Sequence, residues 1–391
     1  MIVAKPAIPT HPKMRSWLAL GLIALCACWN SDPLIGNGNG GDGSTSGGQG
    51  GNTAASAGSG ENSANGSTNA ASNGATGSTS TGGTAGPTAP DGYYTKGNTI
   101  FHESGTPHVF RGVARPSLEW NPKGEQLSPG DYQVMASWGF NVVRIALNQG
   151  FWLEGSSVYA PGYKATVDQN IDWAENAGLD VILDLHWTDK GNFANTPDQQ
   201  RMADTNSITF WQSVATRYKD DGRVLYELYN EPRDIPWEVW QNGGDSGDGF
   251  QVVGMQELYD TVRATGADNL VLIGGLRWAY DLSGVPAHRI QGYNIVYASH
   301  VYDYGDKQPS VWDQDWGFLT ATDPVIVTEF GSSANCSGSW NQQLIDYTAA
   351  RGVSWTAWAW YPGGCQFPAL IDNWAGTPTA AGQVVKAALS K

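Results

Sequence analysis

From Asp91 onward the chain alternates between two patterns: eight short apolar runs, and longer stretches between them whose apolar residues recur at helical spacing. The runs are 108–113 (HVFRGV), 140–147 (FNVVRIAL), 180–187 (DVILDLHW), 223–230 (RVLYELYN), 269–276 (NLVLIGGL), 294–302 (NIVYASHVY), 324–330 (PVIVTEF) and 353–360 (VSWTAWAW). Helix-like stretches lie at 129–138, 164–177, 205–218, 251–265, 341–350 and 379–390, with Thr205 placed to cap one start and Gly178 to stop one end. Runs that are apolar throughout, instead of alternating, suit parallel strands covered on both faces. Eight strand–helix units in about 300 residues predict a (β/α)8 TIM barrel over 91–391. An open doubly wound sheet ranks second, because no Gly-rich phosphate loop follows the first strand.

The first 90 residues are a different material. Lys13 and Arg15 precede the run Trp17–Ala27, which falls short of the ~20 residues needed to span a bilayer but suits the apolar part of a signal peptide over 1–27. Either Met1 or Met14 could be the start. Leu25-Cys26-Ala27-Cys28 resembles the lipobox of bacterial lipoproteins, which makes Cys28 the expected lipidation site; an ordinary secretory signal is the alternative. Export is common to both. Residues 36–90 hold 17 glycines among 55 positions, two charges and no aromatic side chain, so nothing there can build a core and 28–90 is expected to be a disordered Gly/Ser/Asn-rich tether. As a flexible coil, 55 such residues would span roughly 40 Å.

Charge narrows the partners. The 22 basic and 37 acidic residues leave a net charge of −15, and all of that excess lies after Pro90. Phosphate backbones are bound by clustered Lys and Arg, so the absence of a basic run argues against nucleic acid as a partner. Aromatics are left over for a surface or cleft: Trp120, Trp152, Trp187, Trp237, Trp240 and Trp278 fall within or just after strand ends and could serve as stacking platforms.

In such a barrel the chemistry sits at the C-terminal ends of the strands. Reading those ends in order gives Arg144, His186, Asn230 with Glu231, His300 with Tyr302, Glu329, and Trp358 or Trp360. Two carboxylates on nearly opposite strands, facing one pocket, suit glycosidic bond cleavage, one protonating the leaving oxygen while the other attacks. Glu227 points the same way as Glu231 but lies four residues deeper, where a carboxylate is expected to pair with a cation; Asp184, below His186, reads as structural too. The two histidines lack a third ligand at suitable spacing, so no metal and no cofactor is expected. Gly244-Asp245-Ser246-Gly247 has the look of a serine nucleophile loop, but no histidine base accompanies it and a solvated loop is the better reading. Cys336 and Cys365 follow strands seven and eight at one rim; in an exported protein a disulfide is expected, two buried thiols being the alternative.

Asp184-Leu185-His186, Asn230-Glu231-Pro232, Ser299-His300-Val301-Tyr302 and Thr328-Glu329-Phe330-Gly331, in this order at eight-strand spacing, resemble the family 5 glycoside hydrolases, retaining enzymes that include many bacterial endoglucanases. The resemblance implies that Glu231 is the general acid/base and Glu329 the nucleophile. It further implies that Asn230 binds the sugar 2-hydroxyl, Arg144 and Tyr302 orient the nucleophile, and His186 and His300 hold hydroxyls and tune the acid. A tryptophan would form the floor under the sugar, Trp358 by spacing, with Trp360 of the same strand parity still open. The expected activity is endo-cleavage of β-1,4-glucan by a monomer at the cell surface or outer membrane, held by a lipid anchor only, or else secreted. A mannanase or mixed-linkage glucanase of the same mechanism is the alternative. A non-catalytic carbohydrate-binding lipoprotein is disfavoured by the presence of both Glu231 and Glu329.

Overall fold

Eight parallel strands close into a barrel in the computed structural model of the chain, which describes residues 87–88 and 91–390. The 1–27 signal, Cys28 and all but the end of the 28–90 tether lie outside the described residues. The strands are β1 Arg111–Arg115, β2 Val142–Asn148, β3 Asp180–Trp187, β4 Val224–Glu227, β5 Val271–Gly274, β6 Ile295–Tyr302, β7 Val325–Gly331 and β8 Ser354–Ala357. Each pairs with its neighbours in chain order, and β8 returns to β1 through Trp355 opposite Arg111. All eight apolar runs thus form strands.

The ends differ from expectation where backbone geometry intervenes. The first strand begins at Arg111, not at residue 108, because His108 donates its N–H to Ile100 of an N-terminal hairpin (Tyr93–Lys96 and Thr99–His102). Regular pairing in β4 stops at Glu227, and β8 stops at Ala357, short of residue 360. Long helices follow β1, β2, β3, β4, β7 and β8, the last being Ala380–Leu389. The connection after β5 has no helix, and that after β6 has only short turns. Gly178 ends the second helix with φ +84° as expected. The cap of helix Thr205–Tyr218 is Asp204, not Thr205: its carboxylate accepts from Asn206 N–H, and Ser207 completes a capping box.

Side chains alternate between two cores. Outward residues such as Val143, Val181, Tyr226 and Val327 pack under the helices. Inward residues Phe110, Val142, Ile182, Leu225, Val296 and Ile326 fill the lower barrel, closed from below by Tyr93 and Ile100 of the hairpin. One strand upward, the same inward parity gives Arg144, Asp184 and Glu227, all fully buried. The apolar plug ends there and a polar layer begins.

A register shift completes the mouth. Ser299 faces Val327 but His300 faces Glu329, so β7 supplies one residue more than β6 and Thr328 is the extra one. Such an irregularity re-aims the side chains beyond it. Thr328 keeps the inward parity of Ile326, and Glu329, which strict alternation would turn outward, also reaches the interior. Gly331 follows, where an added Cβ would stand 2.7 Å from Pro368; only a glycine lets the loop after β8 cross so near. Cys336 and Cys365 are bonded, with Cα atoms 5.5 Å apart, and join the loops after β7 and β8.

Candidate active site

Arg144 is the centre of the polar layer. Its Nε donates to Glu227 Oε2 at 2.5 Å, one terminal nitrogen to Glu329 Oε1 at 2.5 Å, and the other to Asn230 Oδ1 at 2.7 Å while lying 3.0 Å from Asp184 Oδ2. The guanidinium fork thereby touches strands β3, β4 and β7 at once, which a lysine's single ammonium could not do. Burial lowers the proton affinity of such a cation, but Asp184, Glu227 and Glu329 more than offset that and raise it above the ordinary arginine value. Glu227 is the mirror case: burial pushes it up, Arg144 and His300 pull it far below the usual carboxylate range. The deeper glutamate is a structural partner, as its depth implied.

The two outer carboxylates are held in different ways. Glu329 receives Arg144 on Oε1 and the Tyr302 hydroxyl on Oε2 at 2.6 Å. Burial, followed by the charge of Glu329, raises Tyr302 well above the ordinary tyrosine range, so the phenol remains a donor. Glu231 lies just beyond β4, half-buried, with His300 Nδ1 3.0 Å from Oε1 and the Gln199 amide on Oε2. One oxygen of Glu231, one of Glu329 and a ring nitrogen of His300 all lie within 4.8 Å of one another. That spacing matches close-set carboxylates, about 5–5.5 Å apart, and not the 6.5–9.5 Å or so that leaves room for an intervening water.

His300 bridges the pair. Its Nε2 stands 3.1 Å from Thr328 Oγ1, and Thr328 in turn donates to Glu227 Oε1 at 2.7 Å. Burial opposes the imidazolium, but Glu329, Glu227 and Glu231 outweigh it and raise His300 to about 10. For Glu231, burial pushes up while His300, His186 and Arg233 pull down, and the net direction is below the usual glutamate range. His186 sits 2.6 Å from Asp184 through Nδ1, and that carboxylate overcomes burial to raise its affinity for a proton.

The expected residues Arg144, His186, Asn230, Glu231, His300, Tyr302 and Glu329 converge on this mouth. Trp358 joins them: 6% exposed, its ring is nearly parallel to that of His186 at 5.9 Å. Trp360 does not. Beyond the end of β8 the alternation lapses, and Trp360 is buried against Trp138, donating to Asp131 at 2.7 Å. Trp152 and Trp240 also belong to the core, with their indole N–H groups on Ser213 and on the Gly274 carbonyl. Trp237 packs on Trp240 and His288. Trp278 does lie by the mouth, under the Arg233 guanidinium at 3.8 Å. Ser246 accepts from its own turn and donates to Asp248 at 2.9 Å.

Three residues were not foreseen. Gln199 comes from the long loop after β3, where nothing in the sequence marks it. Thr328 stands inside a motif already noted, and only the register shift reveals its link between Glu227 and His300. Glu119, 1% exposed after β1, accepts from Ser117 N–H at 2.7 Å, and burial, against the charge of His186, raises it to about 7.

Glu231, His300 and Glu329 could in principle bracket a divalent ion. Both oxygens of Glu329, however, already accept from Arg144 and Tyr302, and an adjacent guanidinium repels a cation. The donor set suits proton transfer and carboxylate attack instead. The side-chain amide nitrogen of buried Asn230 has no protein partner.

Comparison with known proteins agrees with this geometry. The family model described as cellulase (glycosyl hydrolase family 5) matches residues 102–364. An endoglucanase of Paenibacillus polymyxa is 24% identical over 337 residues, covering 72% of this chain and 83% of that protein. An endoglucanase of Clostridium saccharobutylicum is 26% identical over 271 residues, 67% of this chain and 55% of that one, so the chain spans about half of its length. Among solved structures, a β-glucanase of Saccharophagus degradans in complex with cellotetraose superposes with a TM-score of 0.65 at 25% identity, over 76% of this chain and 93% of that one.

The Arg144–Glu227 pair yields a test. Removing one charge from a buried ion cluster leaves the remaining members imperfectly paired, so Glu227→Gln should lower unfolding free energy by about 3 kcal/mol, measured by urea denaturation. Glu227 binds its proton less tightly folded than unfolded, so its contribution is complete above the unfolded value of about 4.3 and fades as pH falls through the folded value of about 2. The gap between wild type and variant should narrow across that window. A gap below about 1 kcal/mol at neutral pH would contradict the pairing.

Proposed function

The chain belongs to the cellulase family, glycosyl hydrolase family 5, and from that premise we propose that it is a retaining endo-β-1,4-glucanase with Glu231 as acid/base and Glu329 as nucleophile. The single observation that carries the assignment is the 4.8 Å cluster in which one carboxylate is fixed by a cation and a phenol and the other by a histidine.

The roles follow from the contacts. Arg144 and Tyr302 hold Glu329 aimed at the anomeric carbon, while Glu231 protonates the glycosidic oxygen as the bond to that carbon lengthens. Glu329 then forms the glycosyl ester. That step removes the negative charge beside His300 and Glu231, which favours an ionised Glu231 and fits it to deprotonate the incoming water. Asn230 offers its free amide N–H to the 2-hydroxyl. Trp358 is the floor beneath the sugar, kept flat by His186, which is itself anchored on Asp184.

Support for glucan comes from the relatives, which carry the name endoglucanase, and from the β-glucanase solved with cellotetraose. All-equatorial glucosyl rings present flat CH faces to Trp358, whereas a mannosyl unit has an axial 2-hydroxyl that would meet Asn230 from another direction. The protein is further proposed to act as an exported monomer, anchored through lipidated Cys28, with residues 28–90 as a tether that keeps the barrel clear of the membrane. Among the described residues no helix is long and apolar enough to cross a membrane.

Four outcomes check this reading. Glu231→Ala should fold and lose about 10²–10⁴-fold in turnover on soluble β-glucan, with Glu329→Ala losing at least as much; near-wild-type rates for Glu329→Ala would refute the nucleophile. Proton NMR of the first products should show the retained anomer, and galactomannan should be cut at least about tenfold more slowly than carboxymethylcellulose or barley glucan. An inverted product would refute the mechanism, and faster galactomannan cleavage would overturn the substrate. In cells, Cys28→Ser should abolish incorporation of labelled fatty acid; labelling that persists would refute the anchor.

A further inference from the structure

Glu231 is held by nitrogen donors on both oxygens, His300 on Oε1 and the Gln199 amide on Oε2. Each carboxylate oxygen has two lone pairs, so one N–H on each leaves one free, and a leaving-group oxygen that approaches along a lone pair already in use must displace the donor there. The two contacts differ in how readily they yield. His300 is a poor candidate to yield: it is 1% exposed and pinned from behind by Thr328.

Gln199 differs in each respect. It is half-buried on the loop between Thr188 and Asp204. Its backbone is fixed while its head group is not: the Arg233 guanidinium donates to the Gln199 carbonyl at 2.5 Å and also to the Gln200 carbonyl, which accepts from the Tyr229 hydroxyl at 2.6 Å as well. Arg233 in turn lies on the Trp278 ring. The amide can therefore swing about its side-chain bonds without moving the loop. Besides the neutral Gln199 amide, the groups that act on Glu231 are ionisable: His300 and Tyr302 from β6, Glu329 from β7, His186 from β3, Tyr229 below it and Arg233 beside it.

We propose that Gln199 is a displaceable positioning residue that holds Glu231 Oε2 in the empty enzyme and gives up that place to the leaving-group oxygen when a glucan binds. On arrival of the sugar on the leaving-group side, the amide turns from the carboxylate to a hydroxyl of that sugar. The empty enzyme thus keeps its acid ionised, and Glu231 takes up its proton as the substrate seats. The inference rests on the assignment of Glu231 as the acid.

The test is the pH dependence of kcat and of kcat/KM on cellopentaose for the wild type, Gln199→Ala and Gln199→Met, the last keeping bulk without a donor. The basic limb of kcat/KM reports the free enzyme and that of kcat the bound complex. Both variants should shift the basic limb of kcat/KM upward by at least about half a pH unit, since loss of a donor to the charged form favours protonation, and leave the limb of kcat in place. A limb of kcat/KM that stays where it is, or limbs that move together, would overturn the proposal. Glu231→Ala serves as the control for the underlying assignment: it should abolish the basic limb, and persistence of that limb would sink the acid assignment itself.

Discussion

A single buried guanidinium sets the terms for everything above it. Arg144 rises from β2 at the level where the apolar filling of the barrel ends and ties Asp184, Glu227, Asn230 and Glu329 to one rigid fork. A cation in that position requires carboxylates for its own burial, and carboxylates there require the cation, so neither could persist alone. The arrangement fixes the height and direction of Glu329 from below, while Tyr302 fixes it from the side. Precision at the mouth is inherited from the strands, since all of these side chains stand on β-structure or within a few residues of it.

His300 performs a second kind of work. Three glutamates surround it and raise it to about 10, so the mouth holds a proton between Glu227, Glu231 and Glu329 at neutral pH. With Arg144, His300 makes two cations that face Asp184, Glu227, Glu231 and Glu329, and beside them Asp184 raises the proton affinity of His186 against its burial. Changing the charge of any one member shifts the others, because the screening that weakens such couplings in water is absent here. In the proposed mechanism, consumption of the Glu329 charge in an ester is one such change. The bonding of Glu231 in the empty site, with the Gln199 amide on one oxygen and His300 on the other, is the state from which the cycle starts.

The barrel was readable because its signal is repeated eight times and each run is apolar on both faces. The strand-end residues were readable because parallel strands in a barrel point their C-termini at one mouth. Features that depend on departures from ideal periodicity were hidden. Parity assigned Trp360 to the same face as Trp358, yet β8 ends at Ala357 and Trp360 turns into the core on Asp131. Parity would also have turned Glu329 away from Thr328's face, and the extra residue in β7 places both inside. Asp204 took the cap assigned to Thr205 because the carboxylate reached the helix N–H groups one residue earlier. Trp152 and Trp240 lie beside strand ends in the sequence but project under the helices, a distinction that composition does not carry. Gln199 reaches Glu231 from a loop without periodicity, so only the folded chain brings them together.

The claim on which the account depends most is that Glu329, aimed by Arg144 and Tyr302, attacks the anomeric carbon. A 2-deoxy-2-fluoro cellobioside with a good leaving group slows breakdown of the glycosyl ester enough for it to accumulate. Protease digestion and mass spectrometry of the treated protein should then find one cellobiosyl adduct, on the peptide containing Glu329. An adduct on the peptide containing Glu231, with Glu329 unmodified, would contradict it.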